Sequence, residues 1–387
     1  MSAERTVDAF VAEPGPGDCP RCGKDSCPGD CFRFRRADDV IREPRPRAVV
    51  EGAAWSGRTT VLVSESGAGK TFVVLDLAAA VADGRPWHGR AVERGSVAYV
   101  SFEGDALGLR LRALREAGYT LDDLHVLRAS APVSPRVERD GTEVASMGEA
   151  QVSTALADLS LALAAQDRPP VLLVIVDTVR ASMTGSEDSS EHVSAYLRAV
   201  TRMTAAVPLA ARALVHHAGW QDATETRRRR ERGSSAFRGN VDATVYLEVA
   251  SEDRAAGVAY LELRALKVRD EDRPAPLRLV RRRVELLATD GDPRRGPATS
   301  CVIERDERTA EDRAAATAGA QDVQDAKLDD AVLAVVRDHQ AQATSVRRIR
   351  EYVARGYQDV SAAVARLLTA GRLLPPERQR GPYRLPA

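Results

Sequence analysis

Long apolar runs are missing from this chain of 387 residues, and none approaches the roughly 18 residues that a membrane-spanning helix needs. The N-terminal stretch also lacks a cationic start followed by an apolar core, the pattern of a secretion signal. A cytoplasmic protein with no membrane contact is therefore expected. Aromatic residues are scarce, at 4% against 44% hydrophobic residues in all, so Ala, Val and Leu must build the core. Net charge is absent too, because 56 Lys and Arg offset 56 Asp and Glu. That balance excludes a general polyanion-binding surface and makes any nucleic-acid contact local. Local imbalance does exist: residues 345–387 hold nine Arg against three acids, and residues 301–326 hold seven acids against three Arg. Cysteine is rare, with five in the chain.

What is present begins with Ser64-Glu65-Ser66-Gly67-Ala68-Gly69-Lys70-Thr71. The apolar stretch Thr59-Thr60-Val61-Leu62-Val63 before it reads as a buried strand, and an apolar helix over residues 72–82 follows. A strand, a glycine loop and a helix form a phosphate cradle. Backbone N–H groups of Ser66, Gly67, Ala68 and Gly69 converge on anionic oxygens, and the helix N-terminus adds positive potential. Lys70 reaches the β- and γ-phosphates, and the Thr71 hydroxyl binds Mg²⁺. Ser64 stands where such loops carry their first glycine.

Further chemistry is expected at the ends of later apolar strands, because ligands of open α/β sheets bind outside the strands' carboxyl ends. Residues 95–102 read as a strand ending at Glu103, which either orients and deprotonates an attacking water or caps the next helix. Residues 171–176 are the most apolar run in the chain and end at Asp177, a carboxylate placed to hold the Mg²⁺ shell. A strand over residues 210–215 ends at the pair His216-His217, which either senses a γ-phosphate or merely packs in the core. Directly after it come Arg227, Arg228, Arg229, Arg230 and Arg232, too much charge for an interior. This exposed loop either binds nucleic acid or is a solvated surface. A strand over residues 242–247 and a partner over residues 259–264 form a hairpin running into Lys267 and Arg269.

The ends of the chain carry other signals. Residues 1–18 are rich in Pro, Gly and acids and are expected to be disordered. Over residues 19–36, Cys19, Cys22, Cys27 and Cys31 have spacings that let a short knuckle wrap one Zn²⁺, with a redox pair as the alternative. Residues 32–36 of this unit either stack on a nucleic-acid strand or form a solvated face.

The ordered set Ser-Gly-Ala-Gly-Lys-Thr, Tyr-Val-Ser-Phe-Glu-Gly-Asp, Val-Ile-Val-Asp-Thr, His-His-Ala and Arg-Gly-Ser-Ser resembles the RepA-type hexameric ATPases of the RecA superfamily, relatives of replicative helicases. The resemblance covers about residues 49–287. It implies an α/β fold, a RecA-like P-loop core over residues 40–287 with a mostly parallel sheet flanked by helices. It also implies ATP and Mg²⁺ as cofactors, Glu103 as catalytic base, Asp177 serving the metal and the second histidine as sensor. Cations of an adjacent subunit would complete each site of a homo-hexamer, and Lys267 and Arg269 resemble the paired fingers of the replicative-helicase branch. The implied activity is a motor on single-stranded DNA, a helicase of a plasmid, phage or mobile element. The alternative is a non-translocating ATP switch, such as a recombination mediator or helicase loader.

Residues 288–326 have few large apolar residues and read as a linker with room for one short strand. Periodicity returns over residues 327–387 as three short helices and a Pro-rich turn, which resemble a winged helix. Its third helix lacks outward residues that read base edges. DNA-backbone binding and docking of a replication partner both stay open for it.

Overall fold

Two periodicities in the apolar strands explain the architecture of the computed structural model, which describes residues 36–42, 46–103, 106–137, 143–217, 235–286, 297–378 and 381–386. Contacts divide the chain into Met1–Arg47 and Ala48–Ala387. Within the first unit, the described structure is a short helix, Ala37–Ile41. The four cysteines of the expected zinc knuckle lie outside the described residues.

In the second unit, a sheet of nine strands is seen among the described residues. In chain order they are β1 (Thr59–Ser64), β2 (Ser96–Ser101), β3 (Leu124–Arg128), β4 (Val171–Asp177), β5 (Ala211–His217), β6 (Ala243–Asp253), β7 (Val258–Val268), β8 (Leu277–Glu285) and β9 (Thr299–Arg305). Their spatial order is β9-β8-β7-β6-β1-β5-β4-β2-β3. From β3 to β6 every neighbouring pair is parallel, and β7, β8 and β9 extend the sheet antiparallel.

Parallel strands covered on both faces read as continuous apolar runs, and β1 and β4 are buried at every residue. Alternate side chains serve opposite faces. Leu62, Leu173, Ile175 and Tyr99 join one core with helix α1 (Lys70–Asp83). Val61, Val63, Val174 and Val176 join another with α3 (Met147–Ala165) and α4 (Ser190–Met203). Helix α2 (Leu107–Glu116) follows β2 and packs Leu107 and Leu114 into the first core. Ser146 caps α3 and Ser189 caps α4, each accepting a backbone N–H of the first turn. Between α3 and α4, the buried Glu149 accepts from Arg202 at 2.7 and 3.0 Å.

Residues 288–326 depart from the linker expectation. The short strand foreseen there is β9, which pairs with β8 along seven residues. It is followed by α5 (Ala310–Asp338), a helix of 29 residues begun by a capping box between Thr309 and Asp312. Few large apolar residues mark its first half, but Ala, Arg and Gln are strong helix formers and need no buried stripe to be helical. The expected boundary at residue 327 thus falls inside one continuous helix. Its second half joins α6 (Val346–Arg350) and α7 (Tyr357–Thr369) around Val332, Ile349, Val360 and Leu367, and a bridge pairs Leu374 with Arg384. Among the described residues no helix is long and apolar enough to cross a membrane.

Candidate active site

The loop between β1 and α1 needs backbone that only glycine adopts freely: Gly67 has φ +80° and Gly69, which precedes the first helical residue, has φ +100°. Lys70 opens the helix, and its side chain folds back over the loop. Nζ donates to the Ser64 carbonyl at 3.0 Å, the Ser64 hydroxyl at 3.1 Å and the Glu65 carbonyl at 2.9 Å. It also meets His217 Nδ1 at 3.1 Å. Ser64, the departure from the usual first glycine, is buried and supplies two of these acceptors.

Burial lowers the Lys70 ammonium to a pKa of about 8, against the opposing pull of Asp177 and Glu103. Two consequences have opposite signs. The folded protein binds fewer protons than the unfolded chain between about pH 8 and 10.5, so this residue's cost to stability is relieved as pH rises through that window. Anion binding needs the charged form. Affinity for a phosphate ligand should therefore hold below pH 7 and weaken above about 8, by at most about tenfold per pH unit. Equilibrium binding of ATP between pH 6.5 and 9.5 checks this, and a flat profile would contradict it.

Asp177 ends β4, which is separated from β1 by β5. Its Oδ2 accepts from the Thr71 hydroxyl at 2.9 Å and the Tyr99 hydroxyl at 2.5 Å, while Oδ1 is buried with no partner. Burial raises its pKa, and the bonds from Tyr99 and Thr71 oppose that shift. A buried carboxylate oxygen without a partner, next to a threonine hydroxyl at a phosphate loop, suits a hard divalent cation such as Mg²⁺. Tyr99 is fully buried on β2, where its ring serves the core and its hydroxyl aims the carboxylate. Tyr99→Phe should leave the fold intact and raise the Mg²⁺ concentration for half-maximal ATPase activity by about tenfold, the scale of one hydrogen bond to a charged group. A magnesium titration of the hydrolysis rate measures this; an unchanged midpoint would remove Tyr99 from the site.

Glu103 lies two residues beyond β2 and is exposed. Thr178, the residue after Asp177, donates its hydroxyl to Glu103 Oε1 at 2.8 Å, and the Ser101 hydroxyl holds the Glu103 carbonyl at 2.7 Å. Lys70, Thr71, Glu103, Asp177 and His217 thus meet at the carboxyl edge of β1, β2, β4 and β5. Burial lowers the pKa of both histidines, that of His216 to about 4. His216 packs its ring against Phe237 at 4.7 Å.

The chain matches the AAA domain family over residues 29–223, just over half its length. It belongs to that family. The AAA domain is a P-loop ATPase fold, and the matched span contains the loop, Glu103, Asp177 and His217. Strands β6 to β9 lie beyond it. Among curated proteins, none matches the chain.

Two other sequence-derived candidates stand apart from the AAA domain's phosphate loop. Lys267 and Arg269 sit at the opposite edge of the sheet. Lys267 pairs with Thr244, which β6 sets opposite Val61, so Lys267 is level with the first half of β1, about 10 Å in strand length from Ser64, and Arg269 lies beyond it. Their side chains are engaged locally: Lys267 donates to the Val241 carbonyl at 2.7 Å, and Arg269 bonds Asp242 at 3.0 Å. Neither can serve the Lys70 site of its own chain. Arg227 to Arg230 and Arg232 lie outside the described residues. Among the described residues no group of three or more His, Cys, Asp or Glu could hold a metal ion. Sequence reading missed Ser64, Tyr99 and Thr178 as partners of the site.

Proposed function

We propose that this protein is a Mg²⁺-dependent ATPase motor of the RepA-like kind, acting on single-stranded DNA as a replicative helicase in the cytoplasm. The observation that carries the reading is the meeting of Lys70, Thr71, Glu103, Asp177 and His217 on one sheet edge. Thr71 and Asp177 would hold Mg²⁺, which when bound neutralises charge developing on the transferred phosphoryl group. Lys70 binds the phosphates, and Glu103, oriented by Thr178, takes the proton of the attacking water. A homo-hexamer would bring Lys267 and Arg269 of one copy to the phosphate site of the next. The N-terminal cysteines would hold Zn²⁺, and residues 327–387 would form the winged-helix-like module that docks DNA or a replication partner.

DNA coupling rests on chain connectivity. His217 touches Lys70, residues 218–234 follow immediately, and the chain returns at the helix Ser235–Asn240, whose Phe237 packs on His216. A change at the phosphate site can therefore reach both ends of the arginine-bearing segment. Replacing Arg227, Arg228, Arg229 and Arg230 with Gln should abolish stimulation of hydrolysis by single-stranded DNA. It should also flatten the log–log salt slope of DNA binding by up to about 3, as four phosphate contacts are lost. Unchanged stimulation would refute the coupling. DNA-stimulated hydrolysis by the parent without unwinding of a forked duplex would favour a non-translocating switch instead.

A further inference from the structure

One cation from beyond the matched AAA domain reaches the phosphate loop of its own chain. Strand β6 pairs with β1 only as far as Tyr246, opposite Val63, and then runs on to Asp253. This extension, with β7 and β8, stands beside the loop. Arg281 on β8 donates Nη1 to the Gly67 carbonyl at 2.8 Å and Nη2 to Glu252 Oε1 at 3.0 Å. Its side chain is 15% exposed. A Cβ on Gly69 would lie 3.0 Å from Arg281 Cδ and 3.1 Å from Nη1, so arginine and loop are in direct contact.

The loop has little else to hold it on that side. A Cβ on Gly67 would find no heavy atom within 4 Å, and the Ala68 N–H makes only a long bond, 3.4 Å, to the Glu65 carbonyl. Ordering a glycine-rich backbone costs conformational entropy at every residue. A contact that fixes the loop before ligand arrives removes part of that cost from binding. A guanidinium on the Gly67 carbonyl fixes the plane of the Gly67–Ala68 peptide, and with it the direction of the Ala68 N–H, one of the donors a phosphate would use. Glu252 in turn keeps the guanidinium from swinging into solvent.

We propose that Arg281 is a positioning residue that acts through Gly67 to hold the phosphate loop in its nucleotide-receiving shape, making the β6–β8 extension part of the nucleotide site. This rests on the reading of the loop as an ATP site. Arg281→Met keeps the aliphatic stem and removes both donors. In the full chain, its Kd for a fluorescent ATP analogue and for the ADP analogue should each rise roughly tenfold, the scale of one charge-assisted hydrogen bond. KM should rise with Kd, and kcat should fall by a smaller factor. Without nucleotide, the amides of residues 65–69 should exchange hydrogen faster than in the parent, a change that general destabilisation of β8 would not confine to the loop. Arg281→Lys, which retains one charged donor, should recover part of the affinity. Lys70→Ala separates the two ideas: a parent that binds no nucleotide, or a Lys70→Ala variant that binds like the parent, sinks the ATP-site reading itself. Parental affinity in Arg281→Met, or a loss confined to kcat, overturns the role of Arg281. Should the Met variant not fold, Arg281→Gln must show the same rise in Kd, and parental affinity there overturns the proposal equally.

Discussion

Glu103→Gln should bind Mg-ATP as the parent does and hydrolyse it roughly a thousandfold more slowly, within the range of general-base removal and equal to about 4 kcal/mol of barrier. The amide keeps the shape of the carboxylate and can still accept the hydrogen bond from Thr178, so the strand end stays in place. What it loses is the ability to take a proton from water. Single-turnover hydrolysis beside equilibrium binding separates the two effects. Hydrolysis by the Gln variant at the parental rate would assign the proton transfer elsewhere and leave Glu103 only as an acceptor for Thr178.

Lys70→Ala should weaken ATP binding by roughly a hundredfold, as two or so charge-assisted contacts to phosphate oxygens disappear. The cost has a second part in the nucleotide-free protein. Lys70 Nζ joins the Ser64 and Glu65 carbonyls to His217, so its removal also unties the loop from β5. If sites are shared in a ring, this variant still carries intact Lys267 and Arg269. Mixed with a Lys267→Ala variant, which has an intact loop, it should restore turnover above the sum of the two alone. Steady-state rates across mixing ratios report this. Additive rates, with a monomer that turns over normally, would exclude sites built from two copies.

How much of this could be read from the sequence depended on whether the signal was local. Asp177 was legible because a strand buried on both faces is apolar at every position, and the first charge after such a run marks the sheet edge. Lys70 and Thr71 were legible because the loop's geometry requires glycine at fixed offsets. Tyr99 was not, since within β2 it reads as one more core residue, and only the proximity of β4 gives its hydroxyl a carboxylate. Ser64 read as a defect in the loop, yet it accepts twice from Lys70. Arg281 lies 214 residues from Gly67, and their contact follows from the length of β6 and the register of two antiparallel pairs, which no local pattern specifies. The first half of α5 was missed for a different reason: a helix with a mostly exposed surface made of alanine and charged residues shows no apolar stripe. The zinc and arginine-loop expectations fall outside the described residues, so they remain proposals.

The edge formed by β1, β2, β4 and β5 is proposed to hydrolyse ATP for work on a single strand. Phosphate release by the purified full chain, measured with and without Mg²⁺ and across a titration of single-stranded DNA, tests it most directly. Turnover should require Mg²⁺ and rise with the DNA. No magnesium-dependent release at any DNA concentration, or a rate indifferent to the strand, would contradict it.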